Sequence, residues 1–153
     1  MKRLVIPVAA LVVASALATP VVAAPSNLCK LKVSAQLNPL DVSGTCKPSK
    51  TAHVGALTIT GADWGTTDNY VGVQVYTGAP AARFEQQFGK QGKSVSLGSF
   101  ARETVGVSGV TLAAWVKGKG LLIVLNKQFN SENGGQPYAA PVLAFAKAVA
   151  KQL

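Results

Sequence analysis

The chain carries two cysteines, Cys29 and Cys46, with sixteen residues between them and no other thiol anywhere. Such a pair can be a staple, half of a metal site, a lipid attachment point or a redox couple. Cysteines in an oxidising compartment normally pair. Closing a loop of this length constrains the unfolded chain by about 3 kcal/mol in the entropy model. A zinc site would need two further ligands, yet the single histidine, His53, lies seven residues past Cys46 and there is no C-x-x-C. A redox couple would need close spacing and a feature that lowers a thiol pKa, and neither is present. If the chain is exported, a structural disulfide is therefore expected.

Its first residues predict export. Met1-Lys2-Arg3 is a short basic start, Leu4 to Ala18 is apolar and uncharged, and Val21 and Ala23 are small residues at the −3 and −1 positions of a signal-peptidase site. Leu4 to Ala24 could instead span a bilayer, which takes about 20 residues. Pro7, Pro20 and the small-residue end favour cleavage after residue 23. Cys29 follows Ser26-Asn27-Leu28, which is no lipidation setting, so a secreted, non-lipidated product is expected. Residues 24–153 are the right length for one domain. Cleavage removes Lys2 and Arg3, so the net charge falls from +9 to +7.

Hydrophobic patterning predicts the elements. "VSAQLNPLDV" reads as a helical turn or two held by the disulfide, and "KPSKTAHVG" as a loop. "ALTITGADWG" and "YVGVQVY" alternate as strands, the second setting Val71, Val73 and Val75 against Tyr70, Gln74 and Tyr76. Pro80, Phe84, Phe88 and Gly89 mark out a helix, and "SVSLGSFARETV" a less regular strand. In "VTLAAWVKGKGLLIVLNK" two apolar runs flank Gly118-Lys119-Gly120, a three-residue hairpin loop. "NSENGGQP" is turn-rich. The last segment places Val142, Phe145, Ala146, Val149 and Leu153 on one helical face, with Lys147 and Lys151 outside it. The order β-β-α-β-β-β-α predicts an α+β domain, a mainly antiparallel sheet with two helices packed on it.

That layout, with a cysteine before a leucine-rich turn, a second before the first strand, the Phe84 and Phe88 helix, "LGSFA", the glycine hairpin and an Ala-rich last helix, resembles a group of small actinobacterial secreted proteins and lipoproteins. These are similar to the extracellular sensor domain of a mycobacterial serine/threonine protein kinase. The resemblance spans residues 28–152 and implies a binding or sensing role in the envelope or outside the cell, with no catalytic residues to transfer. The upstream lipidated cysteine of many members is absent, and Ser99 stands where an acidic residue often follows the glycine.

Catalytic motifs are poor. "GVSGV" at residues 106–110 is one residue short of a nucleophile elbow, and a hydrolase using Ser99 or Ser108 would depend on His53 as base. Six acidic residues include no marked facing pair for glycoside hydrolysis. Asp63, Asp68 and Asn69 could ligate calcium, but they lack calcium-loop spacing and read as a strand-connecting turn. No catalytic residue, cofactor or metal is expected. Charge and aromatic surface remain. Lys30, Lys32, Lys47 and Lys50 surround the cysteines, while Lys117, Lys119, Lys127, Lys147 and Lys151 lie on the hairpin and last helix and are the candidate anion-binding residues. Trp64, Tyr70, Tyr76 and Trp115 either line a pocket or fill the core. The expected partners are an anionic lipid, a wall polymer or an acidic protein. Nucleic acid is disfavoured by export and by the lack of basic–aromatic alternation. An effector or inhibitor docking through its basic face is the remaining alternative.

Overall fold

The computed structural model describes residues 27–128 and 134–153. The expected leader, residues 1–23, and residues 130–133 of the turn-rich stretch lie outside them. The architecture is α+β, as expected. Eight strands form one antiparallel sheet: β1 (Cys46–Pro48), β2 (Ala52–Val54), β3 (Leu57–Gly65), β4 (Asn69–Thr77), β5 (Lys93–Ser94), β6 (Phe100–Gly106), β7 (Gly109–Val116) and β8 (Lys119–Lys127). Their spatial order is β1-β3-β4-β8-β7-β6-β5, with β2 also pairing with β3. Among the described residues three α-helices accompany them: α1 (Ser34–Leu37), α2 (Ala81–Phe88) and α3 (Ala139–Gln152).

Alternation along β4 sets the two faces of the sheet. Val71, Val73 and Val75 stand opposite Trp64, Ala62 and Thr60 on β3 and opposite Leu125, Ile123 and Leu121 on β8. All of these are buried beneath the Val142, Phe145, Ala146 and Val149 face of α3, where Trp64 meets Phe145 edge-on at 5.9 Å. The opposite face carries Tyr76, Gly120, Trp115 and Phe100 across four strands. There α2 lays Phe84 on them, its ring centroid 5.5 Å from Tyr76 and 5.8 Å from Trp115. Gly120 makes this close approach possible, since a Cβ there would stand 2.5 Å from the Phe84 ring.

Two expectations need correction. The stretch after Cys46 is not simply a loop, because β1 and β2 both form on the free edge of β3. These three-residue strands are largely exposed and carry no alternation that periodicity could register; the open hydrogen-bonding edge of β3 is what orders them. The hairpin loop is two residues long, not three. Lys117 and Gly118 have φ of 50° and 76°, the doubly left-handed pattern of a type I′ turn, whose twist suits antiparallel strands. Val116 therefore pairs with Lys119, which belongs to β8 and faces the core. A change in register flips side chains between faces, so loop length decides on which side this lysine lies.

The N-terminal segment covers the same face as α3. Leu28, Val33 and Leu40 are buried in the common core. Two links fasten the segment. Cys29 and Cys46 are disulfide-bonded, joining the 3₁₀ turn Leu28–Lys30 to β1, with Cα atoms 5.5 Å apart. At its other end Asp41 adopts a left-handed conformation; its main-chain oxygen accepts from Asn69 Nδ2 at 2.8 Å, and its carboxylate pairs with Lys127 on β8. Burial alone would lower the Lys127 pKa, but its hydrogen bonds to Asp41 and Tyr138 and the charges of both raise it above the ordinary lysine value.

Replacing both cysteines by serine is expected to cost about 2–5 kcal/mol in urea unfolding, while the β7–β8 hairpin and α3 keep their amide-exchange protection. Two titratable thiols in the folded, air-exposed protein would contradict the link. Lys127→Met is expected to cost about 1 kcal/mol near neutral pH, a modest value because Asp41 is 78% exposed. A raised folded-state pKa gives stability that is complete below the ordinary lysine pKa of 10.5 and is lost as pH rises through the folded value. The gap between wild type and Lys127→Met in urea midpoint should therefore be constant from pH 6 to about 9 and close in more alkaline solution.

Candidate functional site

The structure divides the five candidate lysines. Lys127 is engaged with Asp41, and its ammonium lies 4.9 Å from the centre of the Tyr138 ring. Lys119 is 2% exposed and donates from Nζ to the main-chain oxygen of Leu153 at 2.6 Å. Burial, and then the neighbouring Lys117 charge, lower its pKa. The other three converge. Lys117, at the hairpin tip, donates from Nζ to the main-chain oxygen of Lys151 at 3.1 Å, tying the turn to the last turn of α3. A cation there is also favoured by the negative end of the helix dipole. Lys117, Lys147 and Lys151, all exposed, border an open depression of about 360 Å³ whose apolar wall is Leu97 and Ala150.

The four aromatics are likewise divided between the two faces. Trp64 belongs to the core beneath α3, whereas Tyr76 and Trp115 pack around Phe84 on the other side. Burial raises the Tyr76 pKa, and its hydroxyl donates to Gln74 Oε1 at 2.7 Å. Tyr70 is further along that outer face, beyond the reach of α2. It helps to line a second depression, of about 570 Å³, with Lys47 of β1, Asp63 of β3, Gly72 and Gln74 of β4, and Val124 of β8. Lys47 is directly opposite Asp63, and Asp63 opposite Gly72. Sequence offers Asp63 as a calcium ligand and as one of six acids without a facing partner, and marks neither Gln74 nor Gly72 as a site residue. Period-two spacing already puts Tyr70, Gly72 and Gln74 on one face; the pairing that brings Lys47 and Asp63 beside them could not be read from sequence.

His53 and the two serines are not brought together. His53 lies on β2 at one edge, its Nδ1 3.1 Å from Thr58 Oγ1 of β3. Ser108 is in the turn between β6 and β7, with β3, β4 and β8 intervening at about 4.8 Å per strand. Ser99 precedes β6, one strand further away, and its backbone N–H is bonded to Trp115. Asp63 belongs to β3, and the turn that follows closes between Thr66 and Asn69, with Thr66 N–H donating to the Asn69 carbonyl at 2.9 Å. Among the described residues, no three His, Cys, Asp or Glu side chains gather as a metal site would require.

No protein-family model, curated protein or solved structure matches this chain.

Proposed function

We propose that this is an exported, non-catalytic binding domain of the cell envelope or extracellular space, which engages the anionic headgroup of an amphiphile through Lys117, Lys147 and Lys151. The observation that carries this reading is the convergence of those three lysines, from a hairpin and a helix distant in sequence, around the apolar wall of Leu97 and Ala150. Lysines around an apolar surface suit a ligand that is charged at one end and hydrocarbon at the other, because the ammonium groups take the headgroup while the stems and the wall take methylenes. Export is supported by the basic and apolar leader and by the Cys29–Cys46 disulfide, which is compatible with an oxidising compartment. Among the described residues no helix is long and apolar enough to cross a membrane. The resemblance to actinobacterial secreted proteins and a kinase sensor domain agrees with a binding role, and the separation of His53 from Ser99 and Ser108 weighs against the hydrolase alternative.

Each lysine near an anionic membrane surface contributes about 1 kcal/mol. The Lys147→Glu, Lys151→Glu double variant should therefore bind vesicles of anionic phospholipid at least about thirtyfold more weakly than wild type, with binding to neutral vesicles unchanged. Raising the salt concentration should weaken the wild type much more than the variant. Equal binding to anionic and neutral vesicles, insensitive to charge reversal, would remove this function. Intact mass of protein exported by its host should correspond to a chain beginning at or within two residues of Ala24; a mass with residues 1–23 retained, or with an added diacylglycerol, would contradict the secreted form.

A further inference from the structure

We propose that the depression on the outer face of the sheet is a subsite for a neutral sugar ring, seated in the hollow lined by Tyr70, Gln74 and Val124, with the Asp63 carboxylate at its floor. It is separate from the lysine patch and rests on different residues.

The first observation is a hollow of defined size. A Cβ built at Gly72 would stand 2.7 Å from Asp63 Oδ1 and 3.6 Å from the Tyr70 ring edge. The lack of a side chain at Gly72 thus lets the Asp63 carboxylate lie over β4 beside the Tyr70 ring, at the floor of the 570 Å³ depression, and α2, which covers the Tyr76–Gly120–Trp115 end of this face, does not close it.

The second observation is the polar inventory around that gap. Lys47 and Asp63 are direct cross-strand partners, yet they make no ion pair. Asp63 Oδ2 accepts a long hydrogen bond from Ser49 Oγ at 3.4 Å, which leaves Oδ1 without a protein donor. Gln74 sits diagonally across the β3–β4 pair from Asp63, and its Oε1 is occupied by the Tyr76 hydroxyl. That bond leaves the Gln74 NH₂ group to donate. The groove is therefore lined by an acceptor, Asp63 Oδ1, and a donor, the Gln74 amide, with one positive and one negative charge that balance.

Chemistry selects the ligand class. An ammonium can only donate and a carboxylate can only accept, so either satisfies half of this pair and sets its charge against one of Lys47 and Asp63, and a phosphate likewise sets its negative charge against Asp63. A hydroxyl both donates and accepts, and can serve Asp63 and Gln74 together. A pyranose also has an apolar C–H face to lie on the Tyr70 ring and Val124 while its hydroxyl edge meets the polar groups, the mixture of apolar surface and a few placed polar groups common to small-ligand sites.

The test is titration of ¹⁵N-labelled exported protein with the methyl pyranosides of glucose, mannose, galactose and N-acetylglucosamine, and separately with glycylglycine and inorganic phosphate. At least one pyranoside should shift the backbone amides of Thr67 and Tyr70 and the side-chain amide of Gln74. Asp63→Ala should weaken that binding about tenfold or more, Gln74→Ala a few-fold, and Lys147→Glu with Lys151→Glu should leave it unchanged. Gly72→Val should abolish it by displacing the Asp63 carboxylate and crowding the hollow; should that variant melt early, Asp63→Ala, at a partly exposed position, carries the test alone. The proposal is overturned if no pyranoside shifts these resonances, if glycylglycine or phosphate does so in their place, or if Asp63→Ala binds as well as wild type.

Discussion

Burial of one face of the β3–β4–β8–β7 sheet beneath α3 is the constraint on which the rest of the molecule depends. Val71, Val73, Val75, Leu121, Ile123 and Phe145 have no exposed surface at all, and each side chain of this kind contributes roughly 1.5–3 kcal/mol by leaving water. Because side chains alternate along a strand, committing these residues to α3 commits Tyr70, Gly72, Gln74 and Tyr76 to the other side. Both candidate binding surfaces follow from that assignment. The lysine patch forms where α3 ends against the β7–β8 turn, and the groove forms where the outer face runs beyond α2.

The N-terminal segment completes the core by a different means. It has too little regular structure to hold its own position: α1 is four residues long, and the turns on either side are 3₁₀. Leu28, Val33 and Leu40 supply the apolar contact, while the Cys29–Cys46 bond and the Asp41–Lys127 pair fix its two ends to β1 and β8. Lys127 is thereby a structural residue. This explains why counting lysines overstates the charge available to a ligand: of five on the hairpin and last helix, one is taken up by Asp41 and one by the main-chain oxygen of Leu153.

The outer face shows how a partly covered sheet gains room for chemistry. α2 is only eight residues long and reaches across Gly120 to close a cluster of Phe84, Tyr76 and Trp115. Beyond it, a glycine between Asp63 and Tyr70 leaves space where a side chain would otherwise pack. Polar groups can line such a face because solvent reaches them there, whereas the same groups on the α3 side would be stranded without partners.

Sequence alone determined the antiparallel α+β class, the disulfide pair, the apolar face of α3 and the valine face of β4, because each is written in local periodicity or in a count of cysteines. The helical spacing of Phe84 and Phe88 in α2 was legible for the same reason. Tertiary structure decided what periodicity does not encode. The strands β1 and β2 exist because β3 offers a free edge, and Lys119 is buried because the turn before it closes in two residues, not three. Lys117, Lys147 and Lys151 meet only because the β7–β8 turn docks on the end of α3, and Lys47, Asp63, Gly72 and Gln74 meet only through the register of three strands. Local sequence fixes which way a side chain points within its element; which elements become neighbours is set by how their apolar faces fit together.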